Sequence, residues 1–398
     1  MTDSPATVDW LAHVAARARA APESGIVEVF NYGRGRPGLI PLWVGEGDLP
    51  TPDFIVAAAK SSLDAGETFY THQRGIPELR DAIARYMQRV YGAASRIALP
   101  PERIFVTIGG MQALDIAVRL CAEPGAEVII PSPAWPNFEG AISYAGARSI
   151  DVPMVAGARW GLDIDRIAAA INPATRAIIV NSPANPTGFT ATIDELVAIL
   201  DLARRHGLWI IADEIYGRLV YGPKRAPSFH DVMEPDDKIL FLQTLSKNWA
   251  MTGWRVGWLE AAPELGAIIE NMIQYSSSGV PVFCQRGAIA AIQGGEDFLA
   301  MQVARMKQSR DIVCDGLRAT GQVRFARPDA AFYLFCAVDG FSDTRALALR
   351  MIDEAGVGVA PGSAFGAGGV DYVRICFARS PEQMAEATRR IAAWLPPR

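Results

Sequence analysis

From about residue 100 the chain alternates between two patterns. Short blocks that are apolar at nearly every position are "RIFVTI", "AEVIIPSP", "ARSIDVP", "RAIIVNSP", "LWIIADE", "KILFLQTL" and "WRVGWLEA". Between several of them lie blocks whose apolar residues recur every three or four positions: "GGMQALDIAVRLC", "DIDRIAAAI" and "TIDELVAILDLARRHG". The first pattern predicts strands buried on both faces. The second predicts amphipathic helices, the last ending at Gly207. Their alternation predicts an α/β fold in which a mostly parallel seven-stranded sheet is flanked by helices.

The last hundred residues break the rhythm. A long helix, "DFLAMQVARMKQSRDIVCDGLRAT", leads to the strand "AAFYLFCAV", a helix, the strand "DYVRICFA" and a C-terminal helix. This predicts a smaller α+β unit. The first 45 residues hold no complete βαβ unit and are expected to pack against it. The expected division is a large domain over 46–290 and a small domain from 1–45 and 291–398.

Ligands of open parallel sheets sit at the carboxyl ends of the strands. Those ends carry Gly109-Gly110-Met111, Trp135, Asn185-Pro186-Thr187-Gly188, Asp213 to Tyr216, and Ser246-Lys247. Each has a plain structural reading. A Gly-Gly before a helix is usually a tight turn, Asp213 a cap, Trp135 core, and the Asn-Pro stretch a turn. Arg374 in "VRICFA" fits the solvent face of a strand. Lys247 is harder to explain this way, because its surroundings are apolar and buried positions exclude lysine.

Bulk properties narrow the function. The 398 residues are 50% hydrophobic with a net charge of −5, and no long basic run favours nucleic acid. The five cysteines are scattered, which suits free thiols in a reducing compartment. The four histidines form no ligand-spaced cluster, so no metal is expected. The N-terminal stretch lacks the pattern of a signal peptide, and no apolar run is long enough for a membrane span. A cytoplasmic protein is expected.

Taken in order, "NSPANPTG", "ADEIY", "TLSKNWAMTGWRVGW" and "VRICFA" resemble the class I/II aminotransferases, pyridoxal-phosphate enzymes of the aspartate aminotransferase type and fold type I. The likeness runs from "WVGEGDLPTP" through "YTHQRGIPELR" and "VTIGGMQAL", nearly the whole chain. It implies that Lys247 is catalytic and holds the cofactor as a Schiff base. It implies Asp213 on the pyridine nitrogen and Asn185 and Tyr216 on the 3′-oxygen. Gly110, Met111, Thr244 and Arg255 would hold the phosphate, and Trp135 would stack on the ring. Tyr70 would reach the phosphate from a second subunit, making a homodimer with shared sites. Arg374, with Asn185 and the backbone of Gly45, would take the substrate α-carboxylate. Asn185–Pro186 is a candidate cis bond.

The implied reaction moves the amino group of an L-α-amino acid to a 2-oxo acid with ping-pong kinetics. A C–S lyase or cyclase on the same fold is the alternative. The pattern begins within about 45 residues, leaving no room for the DNA-binding domain of aminotransferase-like regulators. The residue that reads the substrate side chain is open: Arg34, Arg36 and Arg74, from this subunit or the neighbouring one, are candidates, and "SSSGVPVF" (276–283) is a further possible lining.

Overall fold

The structure, a computed structural model, describes residues 9–19 and 23–396. The remaining parts of the expected small domain, and the start of the N-terminal stretch, lie outside the described residues. All seven apolar blocks are strands of one sheet: β1 (Ile104–Ile108), β2 (Glu127–Ser132), β3 (Arg148–Pro153), β4 (Thr175–Asn181), β5 (Trp209–Asp213), β6 (Ile239–Thr244) and β7 (Val256–Glu260). Their spatial order is β1-β7-β6-β5-β4-β2-β3. Every pairing is parallel except those of β7, which runs against β1 and β6. Strands β2, β6 and β7 are buried at every position, as continuous apolar runs demand.

The helices follow their sequence signals. Thr192 and Glu195 form a reciprocal capping box at the start of Ile193–His206, and Gly207 closes that helix with φ +66°. The predicted long helix spans Glu296–Thr320. A second sheet has four antiparallel strands: β8 (Val323–Arg324), β9 (Tyr333–Val338), β10 (Ala360–Pro361) and β11 (Val373–Cys376), in the order β10-β11-β9-β8. The two ends of the chain meet beside it. Ile40–Pro41 pairs in parallel with Val357–Gly358, and the Cys376 amide donates to the Leu42 carbonyl. No helix among the described residues is long and apolar enough to cross a membrane.

One feature of the large sheet bears directly on chemistry. Because β7 returns antiparallel, the turn between β6 and β7 stays at the carboxyl ends of the parallel strands. Thr244, Lys247 and Arg255 all lie in or beside that turn. Gly257 makes the return possible: a Cβ there would stand 2.6 Å from the Gln243 carbonyl oxygen and 2.9 Å from the Gly109 backbone.

Candidate active site

A cavity of about 440 Å³ opens at these strand ends. Gly45, Gly110, Met111, Trp135, Asn185, Asp213, Tyr216, Thr244, Lys247, Arg255 and Arg374 all line it. They come from seven separate stretches of sequence, so their meeting is a property of the fold.

Lys247 sits in the short helix Leu245–Asn248, directly after β6. Its Nζ donates to the Gly45 carbonyl at 2.7 Å, and Gln302 Nε2 holds its backbone carbonyl at 3.0 Å. Burial lowers the amine to about 8, with Arg374 and Arg255 acting in the same direction against Cys376 and Glu46. Such an amine is partly neutral near pH 7 and able to act as nucleophile and base.

Asp213 ends β5. Its carboxyl accepts only the Ile215 amide, at 3.3 Å, and burial pushes it up to about 7. An acid this poorly matched to its surroundings calls for a cationic partner. Glu214, next in sequence, is also pushed up to about 7 by burial, but it turns away from the cavity. It accepts from Ser228 Oγ at 2.6 Å and the Phe229 amide at 3.0 Å.

At the opposite end the helix Gly109–Cys121 begins. Gly109 has φ +66°, and a Cβ on it would lie 2.7 Å from Arg255 Nη2. The guanidinium therefore packs on the glycine turn where helix amides point outward, an arrangement suited to an anion. Arg255 itself has φ +54°, a conformation non-glycine residues rarely take, and its Nη1 donates to the Thr252 carbonyl at 2.8 Å. Thr244 is engaged within the chain. Its hydroxyl lies 3.1 Å from the Val256 carbonyl and 2.9 Å from Ser246 Oγ, and it accepts the Ser246 amide. Ser246 brings a second hydroxyl to the same wall.

Arg374 is 2% exposed, so it is not on the solvent face of its strand. Nη1 donates to Asn185 Oδ1 at 2.8 Å and Nη2 donates to the Trp43 carbonyl. Nε is buried without a partner among the described residues. The guanidinium carbon stands 4.6 Å from the Tyr333 ring centre and 4.9 Å from that of Phe365. Held by two bonds and two rings, this fork has little freedom left to lose on gripping a carboxylate. Asn185–Pro186 is cis, as are Ser132–Pro133 and Ser182–Pro183.

Several contributors were not anticipated. Tyr333 lines the cavity and shares a 2.8 Å hydrogen bond with the Tyr216 hydroxyl. A Cβ at Gly45 would stand 2.2 Å from that Tyr333 hydroxyl oxygen, which explains the glycine there. Asn181 braces two site residues at once: its Oδ1 accepts the Asn185 amide and its Nδ2 donates to the Asp213 carbonyl. Ile26, Val27 and Phe30, from the helix Gly25–Gly33, form one wall. Phe30 follows Val27 by three positions and Ile26 by four, and that helical spacing was the available signal.

Other expectations fall outside the cavity. Tyr70 is 95% exposed and lines no part of it in this chain. Arg74 bonds Glu270 at 3.0 Å, Arg36 bonds Asp353, and Arg34 is exposed. The stretch 276–283 does not line the cavity; Ser276 and Ser277 accept from Gln112 Nε2 at 2.8 and 2.7 Å.

An amine lowered toward neutrality, a buried acid and two guanidinium groups meet in this one cavity. Comparison with known proteins agrees. The family model "Aminotransferase class I and II" matches residues 37–391. The aspartate aminotransferase of Thermotoga maritima is 34% identical over 90% of this chain and 91% of its own. Aromatic-amino-acid aminotransferase 2 of Thermococcus litoralis is 34% identical over 92% of this chain and 94% of its own. The solved alanine aminotransferase of Pyrococcus furiosus superposes with a TM-score of 0.89 at 27% identity, covering 96% of this chain and 98% of that one. The chain belongs to the aminotransferase class I and II family. It is a transaminase, and the family it belongs to uses pyridoxal phosphate.

Proposed function

We propose that this chain binds pyridoxal 5′-phosphate through the residues just described and transfers the amino group of an L-α-amino acid to a 2-oxo acid. The observation that carries the reading is the convergence of Lys247, Asp213, Arg255 and Arg374 on one cavity. When bound, the cofactor supplies an electron sink that stabilises negative charge on the substrate α-carbon.

The fit rests on the donor set. Arg255, the Gly110 and Met111 amides and the hydroxyls of Thr244 and Ser246 suit a phosphate. Asp213 suits a protonated ring nitrogen, which would relieve its isolation. Tyr216 and Asn185 suit the ring hydroxyl oxygen, and Trp135 suits the ring face. Lys247 Nζ accepts the substrate α-proton and returns it elsewhere on the bound pair. Arg374 fixes the α-carboxylate, which sets which face of the α-carbon meets that amine.

The same reading carries the division into a large unit, 46–290, and a small unit from 1–45 and 291–398. Lys247 and Arg374 then stand on opposite sides of it. Tyr70 belongs to a dimer in which it reaches the partner's cavity. Its near-complete exposure beside Phe69, also exposed, supports that role.

A visible spectrum tests the reading. Protein loaded with pyridoxal phosphate should lose its long-wavelength band on adding an amino acid and regain it with a 2-oxo acid. Release of ammonia without any 2-oxo acid would instead mark a lyase. A second measurement checks the anion cradle. Gly109→Ala forces a side chain into a left-handed backbone and against Arg255. Pyridoxal phosphate should then bind roughly ten-fold more weakly or worse by absorbance titration.

A further inference from the structure

We infer that the substrate side chain this enzyme selects is neutral and apolar, and that the Ile26–Val27–Phe30 face of the helix Gly25–Gly33 selects it. The inference rests on the transaminase reading and on Arg374 as the α-carboxylate receptor.

The described cations that line the cavity are Lys247, Arg255 and Arg374. Each already has a partner in the proposed chemistry: the reacting carbon, the phosphate and the α-carboxylate. Among the described residues of this chain, none remains on the wall it supplies for a distal carboxylate. Asp213, the acid on the wall, would answer the ring nitrogen, so among the described residues of this chain no lining acid remains for a basic side chain either. Arg36 and Arg74 are held by Asp353 and Glu270. Arg34 does not line the cavity; its guanidinium carbon stands 5.9 Å from the Phe30 ring centre.

The uncommitted wall is apolar. Ile26, Val27 and Phe30 stand on one helix, and Phe30 meets Trp43 edge-on, ring centres 6.0 Å apart at 83°. Val44 and Leu114 line the same cavity. Ser24, at the start of that helix, also lines the cavity, and Glu28 in the first turn is paired with Arg345. A charged side chain placed here loses water and finds no counter-ion, whereas a phenyl or isobutyl group gains by leaving water.

Two measurements test this on the pyridoxal-phosphate-loaded enzyme. In steady-state kinetics, phenylalanine, leucine or methionine should show kcat/KM at least about 100-fold above aspartate and glutamate. In calorimetric titrations, 3-phenylpropanoate should bind at least about ten-fold more tightly than succinate, with no turnover involved. Phe30→Ala should raise KM for phenylalanine at least about ten-fold more than it raises KM for alanine. Val27→Arg, at a half-exposed position, should improve kcat/KM for aspartate about ten-fold or more. Aspartate or glutamate outperforming the apolar amino acids, or succinate binding the tighter, overturns the specificity inference alone. If no amino acid of any class forms a 2-oxo acid, the transaminase reading fails and the inference with it.

Discussion

Lys247→Ala should lower kcat by about 10³-fold or more, at the upper end of what one acid–base group commonly contributes. The argument starts from position. The side chain leaves the end of β6 on a single helical turn, and its amine is fixed by the Gly45 carbonyl. Burial lowers it to about 8, so an appreciable fraction is already neutral at pH 7.5. Alanine removes both the nucleophile and the base while the phosphate and carboxylate forks remain. Substrate should therefore still bind, with KM changing far less than kcat. Added methylamine should restore part of the rate, because a small primary amine replaces the lost group. A merely structural lysine would give no such rescue, and a variant retaining a tenth of wild-type kcat would remove Lys247 from its role.

Asp213→Asn should have opposite effects on activity and on the stability of the cofactor-free protein. Burial holds the folded-state carboxyl at about 7, against an ordinary value of 3.8. A carboxyl raised in this way favours the folded state at low pH, and that contribution is lost as pH rises through 7. At pH 8 the cofactor-free wild type keeps a buried charge with no ion pair among the described residues. The penalty is on the order of 4 kcal/mol. Asparagine removes it. The cofactor-free variant should melt higher than wild type at pH 8 and about equally at pH 4. With the cofactor bound the sign reverses, because a cationic ring nitrogen beside Asp213 turns the unpaired charge into a pair. Turnover should fall about 10²-fold or more, matching the roughly 3–5 kcal/mol lost when one partner of a buried pair is removed. Equal melting curves at pH 8 would show that Asp213 is not an isolated charge.

Much of this was legible in the chain before any coordinates. Six of the seven strands announced themselves because most of their positions are buried, which leaves little room for polar alternation; the edge strand Arg148–Pro153 is buried only at Val152. Lys247 stood out because a lysine among leucine, tryptophan and valine has few innocent explanations. Arg374 was harder. Alternation on β11 fitted solvent exposure as well as burial, and only the Tyr333 and Phe365 rings on either side of its guanidinium decide the matter. Tyr333 itself was hidden in "AAFYLFCAV", where a tyrosine reads as core. Its hydroxyl matters only because it meets Tyr216, 117 positions away. The apolar wall escaped for a related reason. Ile26, Val27 and Phe30 show helical spacing, but spacing alone does not say whether a helix packs on a core or on a cavity. Phe365, which packs against Arg374, comes from the glycine-rich loop 360–369, where nothing in the spacing marks it.

The Arg374 receptor has a history as well as a geometry. Its three members, Trp43, Asn185 and Arg374, are separated by 331 and 189 positions along the chain. Closing loops of that length is entropically costly and slow compared with forming the local turns around Lys247. A chain emerging from the ribosome acquires its reactive amine more than a hundred residues before the arginine that admits a carboxylate. The grip proposed for the α-carboxylate is thus completed late, long after the apolar wall on the helix Gly25–Gly33 has been made. Any chain ending short of residue 374 carries Lys247 without the guanidinium proposed to hold that carboxylate.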